Sequence, residues 1–237
     1  MKKIYTFALA MAMTFAMGSA MAQTYKYVKV TEEPADWTGT YLIVYEADDD
    51  NNVAYVFNGA LEAKDLDSKG NFFEASNPAG EDGVRFIESN AQTDAAVFNI
   101  SDSPSSDYPA YCIQSASGYY IGYDNEDKGE PNLEYSNEHW LDNTIAMEEG
   151  KTSVNIFGRV STYQLRFNND EGKQRFRYHE TGKKKSIKLY QKVEVSGTGI
   201  ANVEGESASK QVYNLQGQPV NGMQKGLNVV DGKVILK

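Results

Sequence analysis

Short segments of alternating apolar and polar residues recur along most of the chain, and this recurrence constrains the fold more than any other feature. Turn residues separate the segments at intervals of about 8 to 12 positions, and no long stretch after the N-terminal apolar segment has the period of a helix. Sixteen tyrosines, ten phenylalanines and twenty glycines agree with this pattern, because aromatic residues suit pleated surfaces and glycine suits turns. We therefore predict an all-β fold, an antiparallel barrel or sandwich.

Three pairs of these segments resemble one another, which indicates a weak internal repeat. They are Tyr41–Tyr45 leading to Tyr55–Gly59, Tyr111–Gln114 leading to Tyr119–Gly122, and Val154–Ile156 leading to Gln164–Asn168. Three similar hairpins are the units of a β-trefoil. Because the spacing between the pairs is uneven, we keep a β-trefoil-like arrangement as the alternative to a simpler barrel or sandwich.

The first 22 residues are typical of a secretory signal peptide. Lys2 and Lys3 precede an uncharged apolar stretch from Ile4 to Met17, and Ala20-Met21-Ala22 has the small residues of a cleavage site. The apolar stretch is about 14 residues long, whereas a membrane-spanning helix needs about 20. We therefore expect cleavage before Gln23, no membrane span in the mature chain, and a protein that is secreted or held at the cell surface.

The rest of the chain divides into a large body and a small tail. Aromatic strand segments fill residues 23–195, which we predict to be one all-β extracellular domain. Residues 196–209 are rich in Gly, Ser, Ala and Glu, as in a linker. Residues 210–237 contain several short strand segments, with Asp231-Gly232 as a strong hairpin signal, and are predicted to form a small C-terminal β segment.

The formal net charge of −10 conceals two blocks of opposite sign. From Asp36 to Gly150 the chain has 24 acidic residues and four basic ones, whereas from Lys151 to Lys192 it has 11 basic residues and three acidic ones. The two blocks either neutralise each other within one fold or leave a basic face for a polyanion.

The sequence contains no set of residues with the spacing of a known catalytic or metal site. The single cysteine, Cys112, lies in an alternating segment and is predicted to be a small buried apolar residue, and His139 and His179 share no motif with it. Asp65, Asp67 and Gly70 match part of a calcium-binding loop, but Lys69 and Ser76 occupy two of the ligand positions. We therefore predict no catalytic residue, no metal site and no cofactor.

Basic residues near the C-terminal end of the body are the first candidate binding residues. Strict alternation places Arg175, Arg177 and His179 on one face of a strand, and the following turn adds Lys183, Lys184 and Lys185. A row of cations of this kind either binds the phosphate or sulfate groups of a polyanion or is a solvated strand face and a charged turn that discourages edge pairing.

Aromatic residues are the second group of candidates, because the apolar faces of sugar rings stack on exposed aromatic side chains. We single out Trp37 and Tyr120, with Tyr119, Tyr123, Tyr135 and Trp140 as further candidates. Most aromatic side chains of a β protein belong to the core, so the sequence alone does not distinguish a binding residue from a core residue.

The tail resembles the C-terminal secretion or sorting domains (type IX-like) of Bacteroidetes surface proteins. Val212–Val220 and Lys225–Lys237 carry this resemblance, although Asn228 and Val229 stand where such domains commonly have an aromatic residue. The resemblance implies that the tail is an export address recognised by a secretion machinery and that it is removable after export.

The body resembles an all-β module of undefined activity in secreted proteins of the same bacterial group. The resemblance is carried by Asp36–Glu46, Ser117–Gly122, Arg175–Tyr178 and Ile187–Tyr190. It implies an extracellular module and assigns no activity to any residue. We therefore expect a non-catalytic binding or interaction module with a glycan as ligand; the alternatives are a module that binds a polyanion or nucleic acid, and a secreted hydrolase with an unrecognised carboxylate site.

Overall fold

The structure, a computed structural model, describes residues 24–47, 52–104, 110–124, 131–159 and 162–195, and the backbone of four short strands between residues 212 and 236. The predicted signal peptide and linker, and most of the two acidic loops at 48–52 and 124–130, lie outside the described residues. The chain separates into two compact units on either side of the bond between Ser196 and Gly197.

The N-terminal compact unit is built almost entirely of antiparallel strands, which confirms the predicted all-β fold. Its strands are β1 Thr24–Lys29, β2 Gly39–Glu46, β3 Val53–Phe57, β4 Phe72–Ser76, β5 Phe86–Glu88, β6 Phe98–Asp102, β7 Tyr111–Ser115, β8 Tyr120–Gly122, β9 Glu134–Ser136, β10 Asp142–Met147, β11 Val154–Gly158, β12 Tyr163–Asn168, β13 Arg175–Glu180 and β14 Lys188–Val195. Two short helices interrupt them, α1 Ala63–Leu66 and α2 Ala91–Ala95. Among the described residues, no helix has the length and apolar character to cross a membrane.

Six of these strands form a ring. Hydrogen-bonded ladders join β14 to β2, β2 to β6, β6 to β7, β7 to β10 and β10 to β11. One antiparallel bridge, between Val154 at the start of β11 and Ile187 just before β14, joins the two ends of this series. The result is a barrel-like arrangement of six strands that is open between β11 and β14 except at this bridge.

The chain passes through this barrel three times in the same way. Each pass consists of a barrel strand, a pair of strands outside the ring and a second barrel strand: β2 to β6 around the pair β3 and β4, β7 to β10 around β8 and β9, and β11 to β14 around β12 and β13. This is the connectivity of a β-trefoil, and the three segment pairs recognised in the sequence begin its three units. Here we call them the first, second and third units.

The uneven spacing of the repeat has a structural cause in the first unit. Between β4 and β6 this unit contains an insertion, which consists of β5 and α2. The inserted β5 pairs with β1, and β1 in turn pairs with β14. The first unit is therefore longer than the others because it carries an additional layer outside the barrel.

The additional layer explains why β2 has no polar face. Tyr41 and Ile43 point into the main core of the barrel, whereas Leu42 and Val44 belong to a second core with Tyr190, and both cores exclude water. A strand that is covered on both faces has a continuous apolar sequence instead of an alternating one. The second core therefore accounts for the run Tyr-Leu-Ile-Val-Tyr.

The C-terminal compact unit, after Ser196, contains one small sheet. Its strands are β15 Val212–Tyr213, β16 Pro219–Val220, β17 Leu227–Val230 and β18 Lys233–Leu236, in the spatial order β16, β15, β17, β18. Val230 pairs with Lys233, so Asp231 and Gly232 are the two residues that connect β17 and β18. The hairpin predicted from this dipeptide is confirmed.

Candidate functional site

Trp37 is not available for sugar stacking, contrary to the sequence-based expectation. Its side chain is only 2% exposed and belongs to the main core. Tyr123 is buried in the same core, where it stacks on Tyr163 with ring centroids 4.2 Å apart. Tyr120 is half-buried on β8, between Gln114 and Ser136 of the neighbouring strands. The rings of Trp37 and Tyr123 therefore contribute to stability and are not accessible to a ligand.

Tyr135 and Trp140 are exposed aromatic side chains, with 41% and 47% of their surface accessible. Tyr135 lies on β9, and Tyr119 packs against it edge to face with the ring centroids 6.1 Å apart. Trp140 follows on the segment between β9 and β10. Tyr135 lies beside a concavity.

This concavity is an open cleft of about 590 Å³ between the first and second units. One wall consists of Lys64 on α1 and of Asp67 and Ser68, which follow this helix. The segment that leads into β9 forms the other wall, with Asn132, Leu133, Glu134 and Tyr135. The cleft thus combines one aromatic ring with two carboxylates, an amide, a hydroxyl and an ammonium group.

Arg177 joins the two walls of this cleft. Its Nε donates to Oδ1 of Asp67 at 2.6 Å, and its Nη2 donates to Oδ2 of the same carboxylate. Its Nη1 donates to the carbonyl of Pro131 at 3.0 Å, on the opposite wall. A guanidinium that grips a carboxylate with two parallel hydrogen bonds fixes its direction. A single side chain of the third unit thus binds both walls of the cleft.

Arg175 also supports the cleft, because its Nη1 donates to the main-chain oxygen of Asp67 at 3.2 Å. Burial, with the charge of Arg177 beside it, lowers the pKa of Arg175 below its ordinary value. The two arginines that the sequence suggested as binding residues for a polyanion are thus bound to an aspartate of the acidic block. They act as positioning residues for the Asp67 wall.

The outer edge of β13 is the place where the three units meet. Phe176 donates its N–H to Oδ1 of Asn71 at 2.8 Å and accepts from Nδ2 of Asn71 at 2.8 Å, so this amide replaces a neighbouring strand. Tyr178 exchanges two main-chain hydrogen bonds with Asn132, and Gly70 donates to the carbonyl of Gln174. The cleft walls of the first and second units are therefore both docked on the third.

The predicted lysines lie away from the cleft, in the turn between β13 and β14. Lys183 is exposed, and Lys184 forms an ion pair with Asp170 in a left-handed backbone conformation with φ of 64°. Lys185 pairs through its main chain with Phe167. Because Arg175 and Arg177 are bound to the Asp67 wall, the basic residues do not form the continuous strip that the sequence suggested.

Ion pairs between the two charge blocks support the interpretation that the blocks neutralise each other. Arg177 of the basic block binds Asp67 of the acidic block, and Nη1 of Arg159 lies 3.2 Å from each carboxylate oxygen of Asp124.

Burial raises the pKa of the Cys112 thiol, which lies in the barrel as the sequence predicts. Asp67, considered above as a partial calcium ligand, has both oxygens bonded to Arg177.

Sequence reasoning missed Asn132 and Glu134 as cleft residues and Asn71 as a buried residue that supports the cleft. Nothing in the local pattern around them differs from an ordinary loop, and Asn71 and Asn132 bind residues of β13 that lie far away in the chain. Tyr135 was recognised only as one aromatic candidate among six. Comparison of the chain with protein-family models, with curated proteins and with solved structures found no match.

Proposed function

We propose that the protein is a secreted or cell-surface, non-catalytic module that binds a glycan in the cleft between α1 and β9. The observation that carries this proposal is the exposed ring of Tyr135 beside the carboxylates of Asp67 and Glu134. A sugar ring has an apolar face that stacks on an aromatic side chain and hydroxyl groups that donate to carboxylate and amide oxygens. A small number of oriented polar groups beside an aromatic surface is typical of a ligand site.

The contacts behind the cleft favour binding with little rearrangement. Asp67 is already held by Arg177, and Glu134 accepts from the main-chain N–H of Asp124 at 3.2 Å. An ionised carboxylate has about four acceptor directions. Both carboxylates therefore keep capacity for sugar hydroxyl groups while their directions are fixed. Such preorganisation lowers the entropic cost of binding.

Replacement of Tyr135 by alanine tests the proposal. We expect the purified protein to bind members of an array of neutral glycans, and titration of the strongest binder to show at least about a tenfold loss of affinity in Tyr135→Ala, or about 1.4 kcal/mol. Tyr135→Phe keeps the ring and is expected to stay within about threefold of the original protein. Trp140→Ala, a change to an exposed aromatic residue that does not line the cleft, is the control and should bind as the original protein does.

Absence of binding to every glycan on the array, or equal affinities for Tyr135→Ala and the original protein, would contradict the proposal. The same samples should be assayed for release of reducing ends from the bound glycan. Cleavage that is lost in Asp67→Asn or Glu134→Gln would show that the protein is a hydrolase and not a binding module.

The tail from residue 210 onwards is proposed to be an export or sorting address. Its four strands form a sheet of their own, and the strands of the body lie within residues 24–195. Deletion of all residues after Val195 is therefore expected to leave the melting temperature within a few degrees of the original, because the body retains its strands. In the native host the shortened protein should fail to reach its normal location. A fall in stability of several kcal/mol, a large part of a typical margin of about 5 to 15 kcal/mol, would instead show that the tail completes the body.

A further inference from the structure

The second core lies within a series of six strands that is open between β4 and β5. Hydrogen-bonded ladders join β4 to β3, β3 to β2, β2 to β14, β14 to β1 and β1 to β5. One antiparallel bridge, between Ala79 and Arg85, joins the two ends of this series. We call the gap between Phe72–Ser76 and Phe86–Glu88 the seam. It contains a cavity of about 290 Å³.

The seam is a hairpin that is closed only near its turn. Phe86 donates its N–H to the carbonyl of Pro78 at 3.0 Å. Because proline has no N–H, this pair makes one hydrogen bond instead of two. The next pair of a continued ladder would be Ser76 and Glu88, but the carbonyl of Glu88 accepts from Oγ1 of Thr93 in α2 at 3.0 Å. The ladder therefore ends at Pro78, and the cavity lies between the two strands beyond it.

The edge of β4 that faces the seam has main-chain groups without a partner among the described residues. Residues of an antiparallel strand direct their N–H and C=O groups alternately toward and away from the neighbouring strand. Asn77 donates to the carbonyl of Asn52 at 2.7 Å, on the β3 side. Phe72, Glu74 and Ser76, at the alternate positions, therefore direct these groups into the seam. Such an edge is a template for a further strand.

The inner side of the seam is apolar. Phe73 and Ala75 of β4 pack against the second core, and Ile87 of β5 is a buried member of it. All three residues line the cavity. Because successive side chains of a strand point to opposite faces, every second side chain of a strand placed in the seam would enter this apolar environment. The cavity is therefore suited to an apolar side chain of a partner.

The outer side of the seam is acidic. Glu74 and Glu88 are exposed, line the cavity and form no ion pair with a described residue. Lys26 lies opposite Glu88 on β1, but its ammonium is placed over the ring of Phe86, 5.1 Å from the centroid. Residues 48–51, which precede β3 in the chain, include no basic residue. Because opposite charges on neighbouring strands stabilise their pairing, the two carboxylates favour basic side chains on a partner strand.

We propose that the seam binds an extended peptide segment of a partner protein, in which apolar residues alternate with lysine or arginine. The main chain of the segment pairs with the free edge of β4, an apolar side chain fills the cavity, and the basic side chains lie beside Glu74 and Glu88. In strand addition to a sheet edge, the main chain supplies affinity and alternate side chains supply specificity. This site is independent of the glycan proposal, because the seam cavity and the Tyr135 cleft share no lining residue.

Calorimetric titration of the purified full chain with the peptide acetyl-Lys-Val-Lys-Val-Lys-amide tests the proposal. We expect saturable binding of one peptide per chain. The peptide acetyl-Glu-Val-Glu-Val-Glu-amide should bind at least about tenfold more weakly, because its carboxylates face those of the seam. The lysine peptide with a methyl group on every peptide nitrogen keeps the charges but loses the main-chain donors, and it should also bind at least about tenfold more weakly.

A charge reversal at the seam separates a specific site from a damaged fold. Glu74→Lys, at an exposed side chain, should lower the affinity for the lysine peptide at least about tenfold and raise the affinity for the glutamate peptide. A reversed preference requires a folded site. Glu81→Lys is the matched control, because it makes the same change at an exposed residue of the adjoining turn that does not line the cavity. It should change either affinity by less than about threefold.

Equal affinities for the methylated and unmethylated lysine peptides, or equal losses in Glu74→Lys and Glu81→Lys, would show only general attraction between charges and would overturn the proposal. Absence of saturable binding would overturn it as well. Sedimentation over a range of protein concentrations tests a second copy of the chain as the occupant, and a dimer that the lysine peptide dissociates would contradict a separate partner. Tyr135→Ala should bind the lysine peptide as the original protein does, so failure of the glycan proposal and failure of this one are distinguishable.

Discussion

Replacement of Asn71 by alanine should destabilise the protein by about 3 to 5 kcal/mol, a large part of the stability of a typical domain. The Asn71 side chain is 1% exposed and makes three hydrogen bonds to the main chain. Nδ2 donates to the carbonyls of Leu66 at 2.7 Å and Phe176 at 2.8 Å, and Oδ1 accepts from the N–H of Phe176. Alanine leaves all three main-chain groups buried without a partner.

Asn58→Ala is the matched control for this prediction. Oδ1 of Asn58 accepts a single hydrogen bond, from the N–H of Ala60 at 3.1 Å in an exposed loop, where water replaces the lost partner. We expect it to cost less than about 1 kcal/mol. Urea unfolding, followed by the fluorescence of the buried Trp37, gives both values. An Asn71→Ala variant within about 1 kcal/mol of the original protein would show that water or a local shift satisfies the edge of β13.

Asn71 also connects stability to the proposed binding site. It fixes the carbonyl of Leu66, the last residue of α1, directly before Asp67 in the chain. Asp67 is then gripped by Arg177, which belongs to the same strand as Phe176. The Asp67 wall of the cleft is thus held at two points on β13, and a substitution at either point is expected to weaken both folding and glycan binding.

The sequence contained enough information to predict the class of fold and the strands that begin each repeat. The three repeated segment pairs correspond to β2 and β3, β7 and β8, and β11 and β12, because each begins a trefoil unit and therefore follows the same alternation. The strands β4 and β9 have no such signal in the sequence. Phe72–Ser76 has no clear alternation, and Glu134–Ser136 is too short for a period to be visible.

The two helices were missed for a similar reason. They have four and five residues, less than two turns, so no helical period develops. A local signal existed for α2 only. Asn90 accepts from the N–H groups of Gln92 and Thr93, and Thr93 accepts from the N–H of Asn90, which is a capping box.

The cleft was not predictable, because its two walls come from distant parts of the chain. Asp67 and Arg177 are 110 residues apart in sequence, and no local pattern couples them. Alternation correctly placed Arg175, Arg177 and His179 on one face of β13 and Phe176 in the core. The sequence did not reveal that this face is also covered, so the cations were interpreted as a binding strip or a solvated face.

Acidification from pH 7 to pH 4.5 should destabilise the protein through His179, by about 2 kcal/mol at pH 4.5. His179 is 5% exposed, and its Nε2 has no hydrogen-bond partner among the described residues. Burial first, and then the charges of Lys184, Arg177 and Arg175, lower its pKa to about 4, although Asp170 acts in the opposite direction. The unfolded chain has a histidine pKa near 6.5, so it binds the proton more strongly than the folded chain does.

The sign of the effect follows from this difference. Above about pH 6.5 the histidine is neutral in both states and the stability does not change; as the pH falls from about 6.5 to about 4, only the unfolded state gains a proton and the stability falls. His179→Gln should remove this loss, and His139→Gln, at an exposed site bonded to Ser136, should retain it. The carboxylates whose pKa values lie below their ordinary range, such as Glu46 and Glu148, contribute equally to all three proteins. Urea unfolding free energies at pH 7, 5.5 and 4.5 measure the difference, and parallel curves for His179→Gln and the original protein would show that the folded state accommodates the charged imidazole.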